Sequence, residues 1–314
     1  MSRYASLCAW RISGPSFVLR KTRARLAKIL ANYRRSIESP KLFCLPGDDI
    51  GDSIISNGWY EDAVLSAIFN GLLSDQSASF SNSIAIDVGA NIGNHSLWLS
   101  KSFAHVVAFE PNPICAHVFE ANMLVNAAEN VRLFRLGLSD APGTLPFHLN
   151  TTGNLGNSGF TPALAENSDR TLFVDVVTGD SVLDAAIIQG RDVRLVKLDV
   201  EGHELAALKG MIMTIRRFQP IIMFESHGAN GPGGSDEIVD LLAGEGYRYF
   251  YVLERDRAFI RSRALKALRR LMFGEKVIAM QVDRPEDRHY SLIIGSVDQL
   301  AAMESATPRL MDGE

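Results

Sequence analysis

The chain has 314 residues, 46% of them hydrophobic, enough for one large α/β domain with additions and too apolar for global disorder. The net charge of −4 gives no global sign of a nucleic-acid partner, yet the charge is unevenly placed: residues 1–41 carry ten basic side chains against the single acid Glu38, leaving 22 basic and 35 acidic groups for the rest. Cys8, Cys44 and Cys115 are far apart and form no CxxC pair, which argues against a disulfide framework and for a reducing compartment. No apolar run approaches the roughly 18 residues of a membrane span, and Arg20 to Lys28 interrupt the place where a secretory leader would be apolar.

In chain order, residues 18–37 read as a basic amphipathic helix, with Leu26, Ile29, Leu30, Tyr33 and Ile37 on one face. Two uses of that face stay open: docking on the main domain or a second copy, and contact with an anionic membrane surface. Pro40 and Pro46-Gly47 break the chain, a helix is expected over 60–73, and the Ser-rich stretch 77–83 reads as a connector. The period then changes. Residues 84–88 form a short apolar run bounded by glycine, as a buried parallel strand would. Helix 96–102, strand 106–109, helix 114–126 and strand 131–136 follow. Residues 143–159 look like a turn-rich excursion. Strand 171–177, helix 181–188, strand 194–198, helix 205–217, strand 220–224, helix 237–244 and strand 247–253 continue the alternation. Residues 257–288 read as an insert around a basic helix at 261–270, and 289–294 as a last strand.

This alternation predicts an α/β fold with a doubly wound, mostly parallel sheet of seven strands, its antiparallel pair formed by 247–253 and 289–294. The expected organisation is a basic helical extension (1–53), a catalytic domain (54–298, core 83–256, insert 257–288, last strand 289–295) and a C-terminal tail (299–314).

The chemistry-bearing stretch is Asp87-Val88-Gly89-Ala90-Asn91-Ile92-Gly93, a strand end, a glycine turn and a helix start. Ligands of open α/β sheets bind at this edge. Gly89 and Gly93 have no side chain to hold a ligand off, and Asp87 is suited to accept from an ammonium group. Glu110, at the end of the second strand, is placed for the two hydroxyls of a ribose. A dinucleotide fingerprint wants a second glycine for the pyrophosphate, and Asn91 stands there instead. A nucleoside without phosphates and with a positive amino-acid end fits better, and S-adenosylmethionine is such a ligand. The bland alternative is a tight βα turn with no ligand.

Four blocks resemble the FkbM-type methyltransferases, class I enzymes that mostly methylate hydroxyl groups: 86–101 (IDVGANIGNHSLWLSK), 106–113 (VVAFEPNP), 136–140 (LGLSD, with Gly143 after it) and 195–210 (LVKLDVEGHELAALKG). PIIMFESHG at 220–228 supports them, and the resemblance runs from about residue 54 to 256. It implies that Asp87, Gly89, Asn91 and Gly93 line the methionine half of the cofactor. Glu110 would hold the ribose beside Pro111 and Asn112, and Ser139 and Asp140 would approach the adenine. Asp199 would face the reacting hydroxyl with Glu201 close by.

A hydroxyl nucleophile gains from a base. Asp199, Glu201, His203 and His227 are the candidates, with Asp199 favoured at the sheet edge and His227 a candidate substrate contact after the fifth strand. His203 and the acids Glu201 and Glu204 also suit the plain role of polar groups at a helix start. Asp199, Glu201 and His203 share one turn with no second ligand cluster, so no metal is expected. The stretch 150–159, rich in Asn, Gly and Thr, reads either as a loop over the substrate or as a long hairpin turn. The expected acceptor is a hydroxyl on a sugar, glycan precursor or secondary metabolite. The expected location is the cytoplasm, with peripheral contact at the inner membrane face left open. Two rivals remain: an inactive scaffold of the same fold, and a nicotinamide-dependent oxidoreductase.

Overall fold

The computed structural model describes residues 21–26, 28–29, 39–151, 155–183, 188, 190–227, 235–255, 277–286 and 288–300. The helices used below are α1 (Asp49–Asn57), α2 (Asp62–Ala67), α3 (Asn94–Leu99), α4 (Pro113–Val125), α5 (Glu204–Lys209), α6 (Ile212–Phe218) and α7 (Ser235–Gly244). The strands are β1 (Ile84–Val88), β2 (His105–Phe109), β3 (Val131–Phe134), β4 (Gly137–Leu138), β5 (Gly143–Leu149), β6 (Arg170–Val177), β7 (Val193–Leu198), β8 (Ile221–His227), β9 (Tyr249–Arg255), β10 (Val277–Val282) and β11 (His289–Ser296).

The main sheet runs β10-β9-β11-β8-β7-β1-β2-β3. From β3 to β8 all neighbours are parallel, and β11 is antiparallel to both β8 and β9. Strand β1 shows why it lies at the centre: its five residues are all buried, so neither face can carry a polar side chain without a partner. Alternate residues serve opposite layers. Ile84, Ile86 and Val88 pack with Leu208, Ile215 and Leu242 from the helices α5, α6 and α7. Ala85 packs on the other face with Val64, Ile68 and Phe80. A third cluster joins α3 and α4 to the segment before β1 through Leu42, Ile54, Leu97 and Phe119.

The doubly wound α/β fold is as expected, with several local differences, among them a short helix, Ser77–Phe80, where a connector was expected. The sheet has eight strands, not seven, because β10 forms inside the stretch 257–288 and pairs with β9 from Val277↔Arg255 to Val282↔Phe250. The basic centre of that insert, 261–270, lies outside the described residues. The stretch 143–159 opens with a real strand: β5 pairs antiparallel with β6 along its whole length, and with β4 they make a separate small sheet. Of the remainder, the described residues include a short 3-10 helix, Leu155–Asn157, and Gly159 bridges back to His148. The helix expected over 205–217 is two helices, broken where Met211 leaves helical geometry (φ −117°, ψ 14°); at the preceding Gly210 a Cβ would stand 2.0 Å from the Ser139 carbonyl oxygen.

Of the basic N-terminal helix, 21–26 and 28–29 are described, and they are helical with Leu26 and Ile29 exposed at 60% and 64%. No helix among the described residues is long and apolar enough to cross a membrane.

Gly89 joins β1 to the turn at φ +77°, and a Cβ there would lie 1.8 Å from the Asp199 carbonyl oxygen. Both the backbone angle and the space exclude a side chain. Gly89→Ala is expected to destabilise the fold by about 3 kcal/mol or more, read as a shifted urea midpoint.

Candidate active site

Four parallel strands end at one edge, and each delivers functional groups there. The turn after β1 is tied down by the backbone amides of Gly89 and Ala90, which both donate to the Phe109 carbonyl at 3.0 Å. Asn91 then takes a left-handed φ of 50°, and α3 begins after Gly93. After β2, Asn112 caps α4, its Oδ1 accepting from the Ile114 amide at 3.0 Å, with Pro113 in the first helical turn. Glu110 lies between these two turns. Its Oε2 accepts from the Asn91 amide and its Oε1 from the Asn112 amide, each at 2.7 Å. Burial lifts its carboxyl to about 7, against the two amides that favour the charged form.

The turn after β7 is sharp. Strand β7 ends at Leu198, Glu201 has φ 52° and Gly202 φ 88°. Glu204 Oε1 holds this turn by accepting from the amides of Val200 at 3.0 Å and Gly202 at 3.2 Å. Because the strand stops before Asp199, simple alternation does not send Asp199 and Glu201 to opposite faces, and both line one cavity. Glu225, in β8, joins them. One carboxylate oxygen from each of Asp199, Glu201 and Glu225 falls within 4.8 Å of the others.

Beneath them lies Lys197, whose Nζ sits 3.2 Å from Asp199 Oδ2 and 3.4 Å from Asp87 Oδ1. Asp87 Oδ2 accepts from Ser96 Oγ at 2.6 Å. Burial works against the charge on Lys197, but Asp199 and Asp87 outweigh it and hold the ammonium above its ordinary range. Burial likewise works against ionised Asp199, and Lys197, then His95, overcome it, so Asp199 stays below the usual carboxylate range. Glu201 rises to about 7 through burial and the charges of Asp199 and Glu204. Glu225 rises to about 9, first through burial and then through Asp199 and Glu201.

The cavity measures about 320 Å³, within the size range of small-molecule sites. One group of lining residues is Gly89, Asn91, Ile92, Glu110, Pro111 and Asn112; another is Tyr60, His95, Asp199, Glu201, Glu225 and Phe160. Three of the five left-handed non-glycine residues described, Glu61, Asn91 and Glu201, line it. Strained backbone gathers at functional sites. Gly156, Asn157 and Ser158 also wall the cavity, so the described part of the loop 150–159 does border the site.

Several expected residues fall elsewhere. Asp87 and Gly93 are not on the lining: the ammonium Asp87 faces is that of Lys197, and the space at Gly93 is taken by Phe119 and Met123. Ser139 and Asp140 meet His203, away from the lining, with Ser139 Oγ 3.1 Å from His203 Nε2 and donating to Asp140 Oδ1 at 3.2 Å. The His227 backbone ends β8 opposite His289, and its side chain lies outside the described residues. Sequence reasoning missed Glu225, Lys197, Tyr60, Glu61 and His95. For Lys197 a signal existed: a lysine in an otherwise apolar buried strand needs acidic partners.

The strand order and the turn and acid after its first two strands define a class I methyltransferase fold. The family model for the methyltransferase FkbM domain matches residues 87–249, just over half the chain, and the chain belongs to that family. Enzymes of this class use S-adenosylmethionine. The chain is similar to methyltransferase sdnD of Sordaria araneosa, 35% identical over 160 residues, covering 42% of this chain and 61% of that one. It is also similar to the hexuronic acid methyltransferase AglP of Haloferax volcanii, 32% identical over 146 residues, covering 46% of this chain and 56% of that one. It thus spans less than two thirds of either relative. A solved FkbM methyltransferase from Methylobacillus flagellatus aligns at 18% identity with a TM-score of 0.39, covering 69% of this chain and 44% of that one. Membership in a methyltransferase family removes the ground for the nicotinamide reading.

The residues fit S-adenosylmethionine. Asn112 Nδ2 is buried, lines the cavity and has no hydrogen-bond partner among the described residues, so it offers a donor to a ligand. The Glu110 carboxylate, fixed by two amides, offers its remaining lone pairs to hydroxyls.

Removing Lys197 strips Asp87 of its counter-charge. Lys197→Met is expected to cost about 3–5 kcal/mol in urea unfolding, the usual result of leaving one buried charge unpaired.

Proposed function

We propose that the chain transfers a methyl group from S-adenosylmethionine to a hydroxyl of a sugar, a glycan precursor or a secondary metabolite, with residues 54–298 as the catalytic unit. One observation carries the reading: a single cavity joins a group suited to a nucleoside, Glu110 and Asn112, to a group suited to a proton, Asp199, Glu201 and Glu225. The name of the archaeal relative, a hexuronic acid methyltransferase, supports a sugar acceptor.

When bound, the cofactor supplies an electrophilic methyl on a sulfonium. The chain aligns the reactants and takes the hydroxyl proton. Glu110 and Asn112 hold the nucleoside. Glu201 is the proton acceptor. Asp199 was the better candidate from sequence, but its charge is stabilised by Lys197, which makes it a weak base. Glu201, lifted to about 7, matches a base working near neutral pH. Asp199 instead accepts a hydrogen bond that orients the acceptor.

A second reading adds to this one. The basic N-terminal segment contacts an anionic membrane surface, supported by the exposure of Leu26 and Ile29 beside Lys21, Arg23, Arg25 and Lys28. Pelleting with anionic vesicles at low salt, lost at high salt, is the expected result; equal pelleting with neutral vesicles removes it.

Calorimetry with S-adenosylmethionine tests the main reading. The wild type is expected to bind, and Glu110→Ala to bind about tenfold or more weakly, the ~1.4 kcal/mol or more of lost hydrogen bonding. A folded wild type that does not bind sinks the proposal. Binding without turnover across hydroxylated acceptors, unchanged by Glu201→Gln, favours the scaffold.

A further inference from the structure

Strands β7 and β8 run parallel with Leu198 opposite Phe224, so the next residues, Asp199 and Glu225, stand side by side at the ligand edge. Their carboxylate oxygens lie within 4.8 Å of each other, and both groups line the cavity. Two neighbouring carboxylates in a part-buried site cannot both be ionised unless positive charge is supplied.

Lys197, from β7, faces Asp199 at 3.2 Å, but it also faces Asp87 at 3.4 Å, so its one charge is divided between two carboxylates. Glu201, on the turn after β7, and Glu204, at the start of α5, add negative charge near Glu225. His95, from α3, lies near Asp199, yet its Nε2 is 3.3 Å from Glu61 Oε2. The Tyr60 phenol is kept neutral, first by burial and then by Glu61, Asp199 and Glu225. His289, on β11, borders the same cavity. Lys197 is thus divided between Asp199 and Asp87, and His95 lies against Glu61.

We propose that Asp199 and Glu225 share one proton in the resting enzyme, and that Glu225 is a positioning residue: its neutral carboxyl donates to Asp199 and fixes the face that Asp199 presents to the acceptor. The pair then carries one negative charge, which Lys197 balances from below. Glu201 is left as the one carboxylate of the three that exchanges its proton near neutral pH. The burial of Glu225 and the charge of Asp199, which together lift it to about 9, agree with this arrangement. The proposal rests on the proposed function for the acceptor's role, but the shared proton does not.

The test uses the full chain with Asp and Glu side-chain carboxyls labelled with ¹³C and followed by NMR against pH in EDTA. One carboxyl is expected to stay protonated through pH 8 and to ionise around 9, and its signal is expected to vanish in Glu225→Gln. Thermal unfolding supplies a second readout. A group whose folded pKa is raised adds stability at low pH that is lost as pH rises through the folded pKa. The wild type is therefore expected to lose stability relative to Glu225→Gln between the ordinary 4.5 and about 9. The idea is overturned if no wild-type carboxyl stays protonated through pH 8, a measurement that needs no variant to fold. It is also overturned if, without EDTA, stoichiometric Mg²⁺ binding ionises the pair, since a cation and not a proton then joins the two groups. Titrating S-adenosylmethionine into the same sample separates the two readings: binding without a protonated carboxyl leaves the methyltransferase reading standing, and the reverse leaves only the shared proton.

Discussion

The ammonium of Lys197 is the contact on which the site depends. A lysine enclosed in a parallel sheet cannot keep its charge without carboxylates beside it. Strand pairing provides the first, because Asp87 in β1 is in register with Lys197 in β7. Asp199 lies two residues on, and it provides the second at 3.2 Å. The charge therefore joins the turn after β1, which borders the Glu110 end of the cavity, to the turn after β7, which borders the end lined by Asp199, Glu201 and Glu225. The Asp199 amide adds a hydrogen bond to the Val88 carbonyl at 3.0 Å. The two halves of the cavity are thus referenced to one another through the centre of the sheet, its least deformable part.

The same closeness explains the glycines. Read from sequence, Gly89 and Gly93 are bare so that a ligand can approach the chain. In the folded protein the space beside Gly89 is filled by the Asp199 carbonyl, and that beside Gly93 by Phe119 and Met123. The motif is therefore first a packing requirement between β1, β7 and α4. Room for a ligand follows from it, since the turn that avoids Asp199 is the turn that delivers the Asn91 amide to Glu110.

What could be read from the sequence was local. The run Ile84–Val88, the glycine turn, Glu110 and the strand end at Leu198 all occupy short windows, and periodicity with turn chemistry suffices to place them. The elements that were misread depend on partners far along the chain. Strand β10 exists because β9 offers it an edge, and β5 because β6 lies beside it; neither pairing leaves a mark within its own seven residues or fewer. Glu225 was overlooked for the same reason. The strand read from sequence ends at 224, which leaves Glu225 just beyond it beside Ser226 and His227, and only the register of β7 against β8 puts it next to Asp199. Tyr60 and Glu61 precede the first strand and reach the cavity because Asn94 clamps the Tyr60 backbone at both its amide and its carbonyl.

Three acids at one edge are chemically useful only if they differ. In water Asp199, Glu201 and Glu225 would ionise almost together, and none would be distinguished as a base. The fold separates them by environment. Lys197 keeps Asp199 charged. The neighbouring charge of Asp199, added to burial, keeps Glu225 neutral. Glu201 shares the burial on a strained turn and is raised further by the charges of Asp199 and Glu204, and at about 7 it falls between the other two. A single buried lysine thus ranks three otherwise similar carboxylates, and the middle one is left with the affinity for a proton that a base near neutral pH requires. Moving that lysine by one strand position would turn it to the opposite face of the sheet and abolish the ranking, even with every acid still in place.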